Sequence, residues 1–81
     1  MDIARTDEEA ARHILWLFTN KFGARRGSIL LPHFFNAEFA IAPWTAADLR
    51  RGCEYSVERG WIEINEYGSL KLTEAGANEP A

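Results

Sequence analysis

The sequence is poor in the residues that carry metal and nucleophile chemistry. It has one cysteine and two histidines in 81 residues, so no internal disulfide can form and no zinc-binding spacing occurs. It also has no glycine-rich phosphate loop and no paired-carboxylate motif. Cys53 has no partner at a spacing that predicts a catalytic dyad, and we predict a buried structural thiol. We therefore expect no enzymatic activity, no metal and no cofactor.

Long apolar runs are also absent. No stretch approaches the roughly 18 apolar residues of a membrane span, and the acidic segment 1–9 resembles neither a signal peptide nor a transit peptide. These features predict a cytoplasmic protein with no membrane partner and no small-molecule substrate. The chain is nevertheless 47% apolar and 12% aromatic, which indicates a packed core. Its length predicts one domain, 1–81, with frayed ends at 1–5 and 77–81.

Acidic residues are missing from one long segment of the chain. Segment 10–37 contains none, and its basic residues are Arg12, Lys21, Arg25 and Arg26. From residue 54 onward the balance reverses to six glutamates against two basic residues. The net charge of −3 therefore conceals a basic first half and an acidic last third. This asymmetry bears on partners rather than on the fold.

Start and stop signals predict three helices. We place them at 6–22, 32–40 and 46–59. The first begins with a capping box formed by Thr6 and Glu9, and its apolar residues recur at steps of three and four. Pro32 suits the first position of the second helix. The apolar run 28–31 before it could be a strand or the start of a helix, because periodicity alone does not decide between them.

The third helix is the best marked. Thr45 is expected to be its N-cap, with Asp48 as the capping-box carboxylate, and Gly60 supplies the left-handed residue that ends it. Gly52 lies inside the helix, in a strip of small residues. We expect another helix to approach closely there, the first helix through Trp16 being the candidate.

Two short runs with period-two alternation predict an antiparallel hairpin at 61–65 and 69–73. The side chains expected to face the helices are Ile62, Ile64, Leu70 and Leu72. Tyr67 and Gly68 are expected at the tip of the hairpin. Thr73 is expected to cap a last short turn.

The order helix, helix, helix, strand, turn, strand, with the motifs T-A-A-D-L-x-x-G and L-K-L-T-E-A-G, resembles the winged helix-turn-helix superfamily. In that superfamily the third helix ends in G-[WLY]-[IV] and the second wing strand often ends in L-T-x-x-G. The matching stretches here are 60–62 and 72–76, and the resemblance covers roughly residues 6–76. It implies an α+β, mainly α, winged-helix fold with the third helix as recognition helix. It also implies a DNA-binding, transcription-regulator-like function.

Double-stranded DNA is the first candidate partner. The start of the third helix would read bases, and the basic segment before it would contact phosphates. The expected contact residues are Lys21, Arg25, Arg26, Thr45, Arg50 and Arg51. The wing is poorly suited to phosphates, because Glu63 and Glu66 outnumber Lys71.

The alternative is a protein-interaction or dimerisation module that does not bind nucleic acid. Its partner would be a basic protein or a second copy of the chain, bound by an acidic surface on the third helix and the wing. The expected contact residues are Glu54, Tyr55, Glu58 and Tyr67. This reading assumes that Leu49, Cys53, Ser56 and Val57 face inward and that Ala47, Arg51, Glu54, Tyr55 and Glu58 face outward. Exposure of Phe35 and Trp44 would favour an interface.

Overall fold

A computed structural model describes residues 6–79 as an α+β, mainly helical unit, which is the predicted fold class. α1 spans Asp7–Trp16 and continues as a π-helical segment at Leu17–Lys21; then follow β1 at Ile29–Leu30, α2 at Pro32–Glu38, α3 at Ala46–Glu58, β2 at Ile62–Ile64, β3 at Leu70–Leu72 and α4 at Glu74–Asn78. Within this range, no helix combines the length and the apolar character needed to cross a lipid bilayer.

The first helix starts where predicted and changes form near its end. Thr6 Oγ1 accepts from the Glu9 N–H and the Glu9 carboxylate accepts from the Thr6 N–H, each at 3.0 Å. The predicted single helix 6–22 is α-helical only to Trp16, and its last turn is a π-helix. In that turn the Phe22 N–H reaches the carbonyl oxygen five residues back, at 2.9 Å. The capping box can be read locally, whereas the widened turn has no such local signal.

The second and third helices also begin at the predicted residues. Pro32 is the first residue of α2. At the start of α3, Thr45 and Asp48 form the expected capping box. Gly60 adopts a φ of +75° directly after the helix, and the Trp61 N–H donates back to the Ser56 carbonyl at 2.8 Å. That left-handed residue turns the chain from α3 into the β2–β3 hairpin.

The sheet has three antiparallel strands in the order β1–β3–β2. Ile62 pairs with Leu72 and Ile64 with Leu70, as in the predicted hairpin. The ambiguous run 28–31 is in part a strand, because β1 pairs with the other side of β3. Ile64 shares its sheet face with the buried Ile62 and lies beside α3, as expected, but the helices cover it only in part and it is 45% exposed.

The core contains residues of both the helices and the β2–β3 hairpin. Its buried apolar members are Ala10, Ala11, Ile14, Leu15, Leu17, Phe18, Phe35, Phe39, Trp61, Ile62, Leu70 and Leu72. Phe18 packs on Phe35 with their ring centroids 5.0 Å apart. The apolar face of the first helix therefore packs in one core with α2 and the β2–β3 hairpin.

The last turn of the described chain, α4, is held by a cap, a close backbone contact and an ion pair. Thr73 caps α4 by accepting from the Gly76 N–H at 3.0 Å, and a Cβ on Gly76 would lie 2.1 Å from the Trp61 carbonyl oxygen. The L-T-x-x-G motif thus has a packing reason as well as a capping one. Glu79 forms an ion pair with Arg12 at 3.0 Å, and α4 includes residues 77 and 78 of the stretch expected to fray. The predicted frayed residues 1–5 and 80–81 lie outside the described residues.

The contact between α1 and α3 is close because Gly52 has no side chain. A Cβ at Gly52 would lie 2.9 Å from the backbone carbon of Ala10 and 3.0 Å from the backbone nitrogen of Ala11. The first helix does make the expected approach, but at Ala10 and Ala11. The suggested contact through Trp16 is wrong, since that side chain is half exposed and stacks on His13.

We expect Gly52→Ala to lower the free energy of unfolding by about 1–2 kcal/mol. Overpacking here should cost about 2–3 kcal/mol, the upper part of the usual range, because the added Cβ would meet backbone atoms of α1 rather than a flexible side chain; the helix propensity of alanine returns about 1 kcal/mol. Urea denaturation followed by circular dichroism measures the change. Glu54→Ala, at an exposed position of the same helix, is the control and should stay within about 0.5 kcal/mol of the parent. A Gly52→Ala protein as stable as the parent would contradict the close contact.

Candidate partner-binding surface

The rotation of α3 about its axis differs from the one expected. The buried residues are Asp48, Gly52 and Ser56, and Val57 is 45% exposed. The inward placement of Val57 is therefore wrong, and so is the outward placement of Tyr55. The reason is the contact at Gly52, because residues four before and four after it lie on the same face of the helix.

Tyr55 belongs to the packed interior rather than to the acidic surface. It is half-buried, its ring lies 5.7 Å from that of Trp61, and the Arg59 guanidinium stacks over it at 5.0 Å. Tyr67 is 80% exposed at the tip of the β2–β3 hairpin. Of the predicted partner contacts, Glu54 and Glu58 alone lie on the exposed face of α3.

Arg51, predicted to contact DNA, is held by carboxylates at the start of α3. It forms an ion pair with Asp48, which is 5% exposed, and its Nε lies 3.2 Å from an Asp7 oxygen on α1. Thr45 uses its side chain as the N-cap of the same helix. Both groups thus have structural roles at the end of the helix that would face DNA.

The predicted phosphate-contacting segment is partly neutralised as well. Lys21 pairs with Glu38 at 2.5 Å, and Arg26 pairs with Glu74 at 3.2 Å. Arg25 and Arg50 make no ion pair with any residue in 6–79. Exposed pairs of this kind are weak, at about 0–1 kcal/mol each, but they lower the positive potential that attracts DNA.

Two adjoining depressions form a groove between the exposed face of α3 and the edge strand β2. The first, of about 590 Å³, is lined by Arg50, Cys53, Glu54, Val57, Glu58 and Ile64. The second, of about 550 Å³, shares Val57 and Ile64, passes round the edge strand and continues on the opposite face of the sheet, where Ile29, Glu63 and Lys71 lie side by side. We call these lining residues together the α3–β2 groove. Its centre is apolar, because Val57 and Ile64 are each 45% exposed there.

The rim of the α3–β2 groove is acidic. Glu54 and Glu58 are exposed and make no ion pair within the described part of the chain. Glu63 lies 4.0 Å from Lys71, which neutralises it in part. Arg50 is the one basic side chain on the α3 wall of the groove. An apolar centre with an acidic rim is suited to a partner that combines apolar and basic groups.

The sequence interpretation missed the two residues at the centre of this groove. Val57 and Ile64 were both assigned to the core. For Val57, Gly52 was a usable signal, because the small residue marks the middle of the buried face. The sequence gives no such signal for Ile64. Ile62 and Ile64 are the same residue type on the same face of the strand, so the pattern cannot show that one is buried and the other half exposed. Conversely, Phe35 is fully buried and Trp44 is half-buried against His13, with the rings 4.5 Å apart, so these aromatic residues do not mark an interface.

Cys53 lies in the wall of the groove and is half-buried rather than fully buried as predicted. Burial and, to a smaller extent, the negative charge of Glu54 raise its pKa to about 11. The thiol is therefore protonated near neutral pH, which makes it a poor nucleophile. Among the residues in 6–79, no group of three or more His, Cys, Asp or Glu side chains is arranged to hold a metal ion.

No protein-family model, curated protein or solved structure matches the chain. The arrangement of the elements and the chemistry of the groove are therefore the basis for a functional assignment.

We expect the alkylation of Cys53 by iodoacetamide to be slow at neutral pH and to rise with pH up to about 11. A thiol of ordinary pKa carries about a hundredfold more thiolate near neutral pH. Glu54→Gln should move the midpoint of the rate–pH profile to lower pH, because it removes one of the two causes. Glu58→Gln is the matched control and should leave the midpoint in place. A profile that levels off near pH 8.5 in the folded parent would contradict the raised pKa.

Proposed function

We propose that this chain is a winged-helix domain that acts as a protein-interaction module and binds its partner through the α3–β2 groove. The observation that carries the proposal is that two half-exposed apolar side chains, Val57 and Ile64, lie beside Glu54 and Glu58, which make no ion pair with any residue of 6–79. Burial of Val57 and Ile64 against a partner would displace water from apolar surface, which is favourable. The two glutamates select among partners by charge.

The order of elements supports the winged-helix part of the proposal. α1, β1, α2, α3, β2 and β3 follow one another along the chain, and β3 lies between the other two strands. In this reading α2 and α3 are the helix-turn-helix and the β2–β3 hairpin is the wing. A fold of this kind does not by itself assign a ligand, so the surface has to do so.

The charges on the surface favour a protein partner over DNA. DNA affinity comes largely from phosphates neutralised by free lysine and arginine side chains. Lys21, Arg26 and Arg51 are each paired with a carboxylate. The exposed face of α3 that would enter the major groove presents Glu54 and Glu58. DNA binding remains the second candidate, supported by the resemblance and by the exposed Arg25 and Arg50.

The same charges disfavour a symmetric dimer through this groove. In a twofold arrangement the groove of one copy would face the groove of the other. The groove carries three glutamates, Glu54, Glu58 and Glu63, against Arg50 and Lys71, so the two facing surfaces would have net charges of the same sign, which is unfavourable in an interface. We therefore assign the groove to a different, basic partner.

A selection from a random peptide library displayed on phage tests the proposal. We expect the immobilised domain to enrich peptides that no longer bind Val57→Asp or Ile64→Asp, because a charge at the apolar centre removes the favourable burial. Ile41→Asp is the matched control: Ile41 is also exposed and apolar but does not line the groove, so binding should persist. Failure to enrich peptides, or enriched peptides that bind all three variants equally, would refute the assignment of the groove.

A titration with generic duplex DNA at low salt, followed by ¹H–¹⁵N NMR, tests the second candidate. If the protein-interaction proposal is correct, DNA should cause at most weak shifts, near Arg25 and Arg50, that disappear when salt is raised. Tight binding with shifts along α3 and the wing would overturn the proposal in favour of DNA recognition. Arg25→Ala with Arg50→Ala is the variant that should remove any weak shifts.

A further inference from the structure

We infer that the partner segment is a basic amphipathic helix that lies along α3 in the α3–β2 groove; the inference rests on the proposed function. The alternatives are an extended segment that adds a strand to the edge of the sheet, and a helix that is acidic rather than basic. Three properties of the groove decide among them: the spacing of its side chains, the number of accessible main-chain groups on β2, and the position of its charged residues.

The α3 wall of the groove presents two parallel rows at helical spacing. Cys53 and Val57 are four residues apart and form an apolar row, and Glu54 and Glu58 form an acidic row beside it. From Arg50 to Glu58 these rows run for about 12 Å of helix. A second helix complements rows of this kind when its own apolar stripe is flanked by lysine or arginine at positions four apart.

The edge of β2 is too short to hold an added strand. The Thr73 N–H donates to the Trp61 carbonyl, and the Asn65 N–H donates to the Ser69 carbonyl. The main-chain groups of the odd-numbered residues in this strand therefore point toward β3. Ile62 and Ile64 therefore direct their main-chain groups away from β3. Ile62 is 1% exposed, which leaves Ile64 as the one residue of β2 with accessible main-chain groups at this edge. Strand addition draws its affinity from a run of such hydrogen bonds.

The acidic row sets the charge of the partner helix. Glu54 and Glu58 project from the exposed face of α3 with no intramolecular ion pair inside the described range. Lysine or arginine on the partner would reach them without first breaking a pair in this chain. The ion pairs would lie at the rim, where salt screens them, so the affinity should fall as salt rises.

Three synthetic peptides of about 18 residues test the inference, a length at which an isolated helix becomes viable. The first places leucines at helical spacing among lysines. The second has the same composition with leucine and lysine alternating in strand fashion, and the third is the first with glutamate in place of lysine. Fluorescence anisotropy gives Kd, and ¹H–¹⁵N NMR gives the location of binding.

We expect the basic helical peptide to bind at least about tenfold more tightly than either of the others, with shifts confined to residues 50–58 and 64. Val57→Asp should weaken that binding about tenfold or more, whereas Ile41→Asp should not. Glu54→Gln with Glu58→Gln should weaken it about fivefold and reduce its salt dependence. Glu8→Gln with Glu74→Gln removes the same net charge outside the groove and is the matched control.

Each contrary result identifies what has failed. If the alternating peptide binds as tightly as the helical one, the helical mode is wrong. If the glutamate peptide binds more tightly, the charge is wrong. If all three fail to bind while the library selection enriches peptides that depend on Val57 and Ile64, the inference fails and the proposed function stands. Binding that is unaffected by Val57→Asp would place the peptide outside the groove and overturn the inference.

Discussion

The arrangement of this protein depends on the contact between α1 and α3 at Gly52. A side chain there would meet the backbone of α1 at about 3 Å, so the two helices approach as closely as their backbones allow. That approach determines which face of α3 is buried, with Asp48 and Ser56 one turn to either side. It consequently determines which side chains of α3 reach solvent, and Val57 is among them.

The function that we propose follows from this rotation. Had Val57 faced inward and Tyr55 outward, the exposed face of α3 would carry a tyrosine among charged residues and no apolar centre. Instead, Val57 lies opposite Ile64 of the edge strand, and the two form a small apolar patch. Patches of this kind on a charged surface are typical of binding sites. The glutamates beside it then restrict the partner by charge.

The charges on the surface do not favour the ligand that the resemblance implies. The resemblance in sequence to winged-helix proteins implies a DNA reader, yet three of the basic groups expected to contact DNA, Lys21, Arg26 and Arg51, form ion pairs within the molecule. Arg51 ties α3 to α1 through Asp7, and Arg26 ties the loop before β1 to α4 through Glu74. These arginines act within the described chain as links between elements. A sequence count of positive charges cannot show this, because the partners of Lys21 and Arg26 are 17 and 48 residues away.

The local signals in the sequence determined the starts of the helices and the hairpin. Thr6 and Thr45 cap their helices through partners only three residues away. Gly60 ends α3 because it tolerates a positive φ. The strands show in the sequence because successive side chains point to opposite faces of a sheet, so apolar and polar residues alternate. Tertiary structure alone decided the third strand, the Arg12–Glu79 ion pair and the α3–β2 groove. Each of these depends on contacts between residues distant in the chain: β1 needs β3, Glu79 needs Arg12, and the groove needs the helix rotation imposed at Gly52. Periodicity identifies a face of α3, but only the packing of α1 against it determines which face is left for a partner.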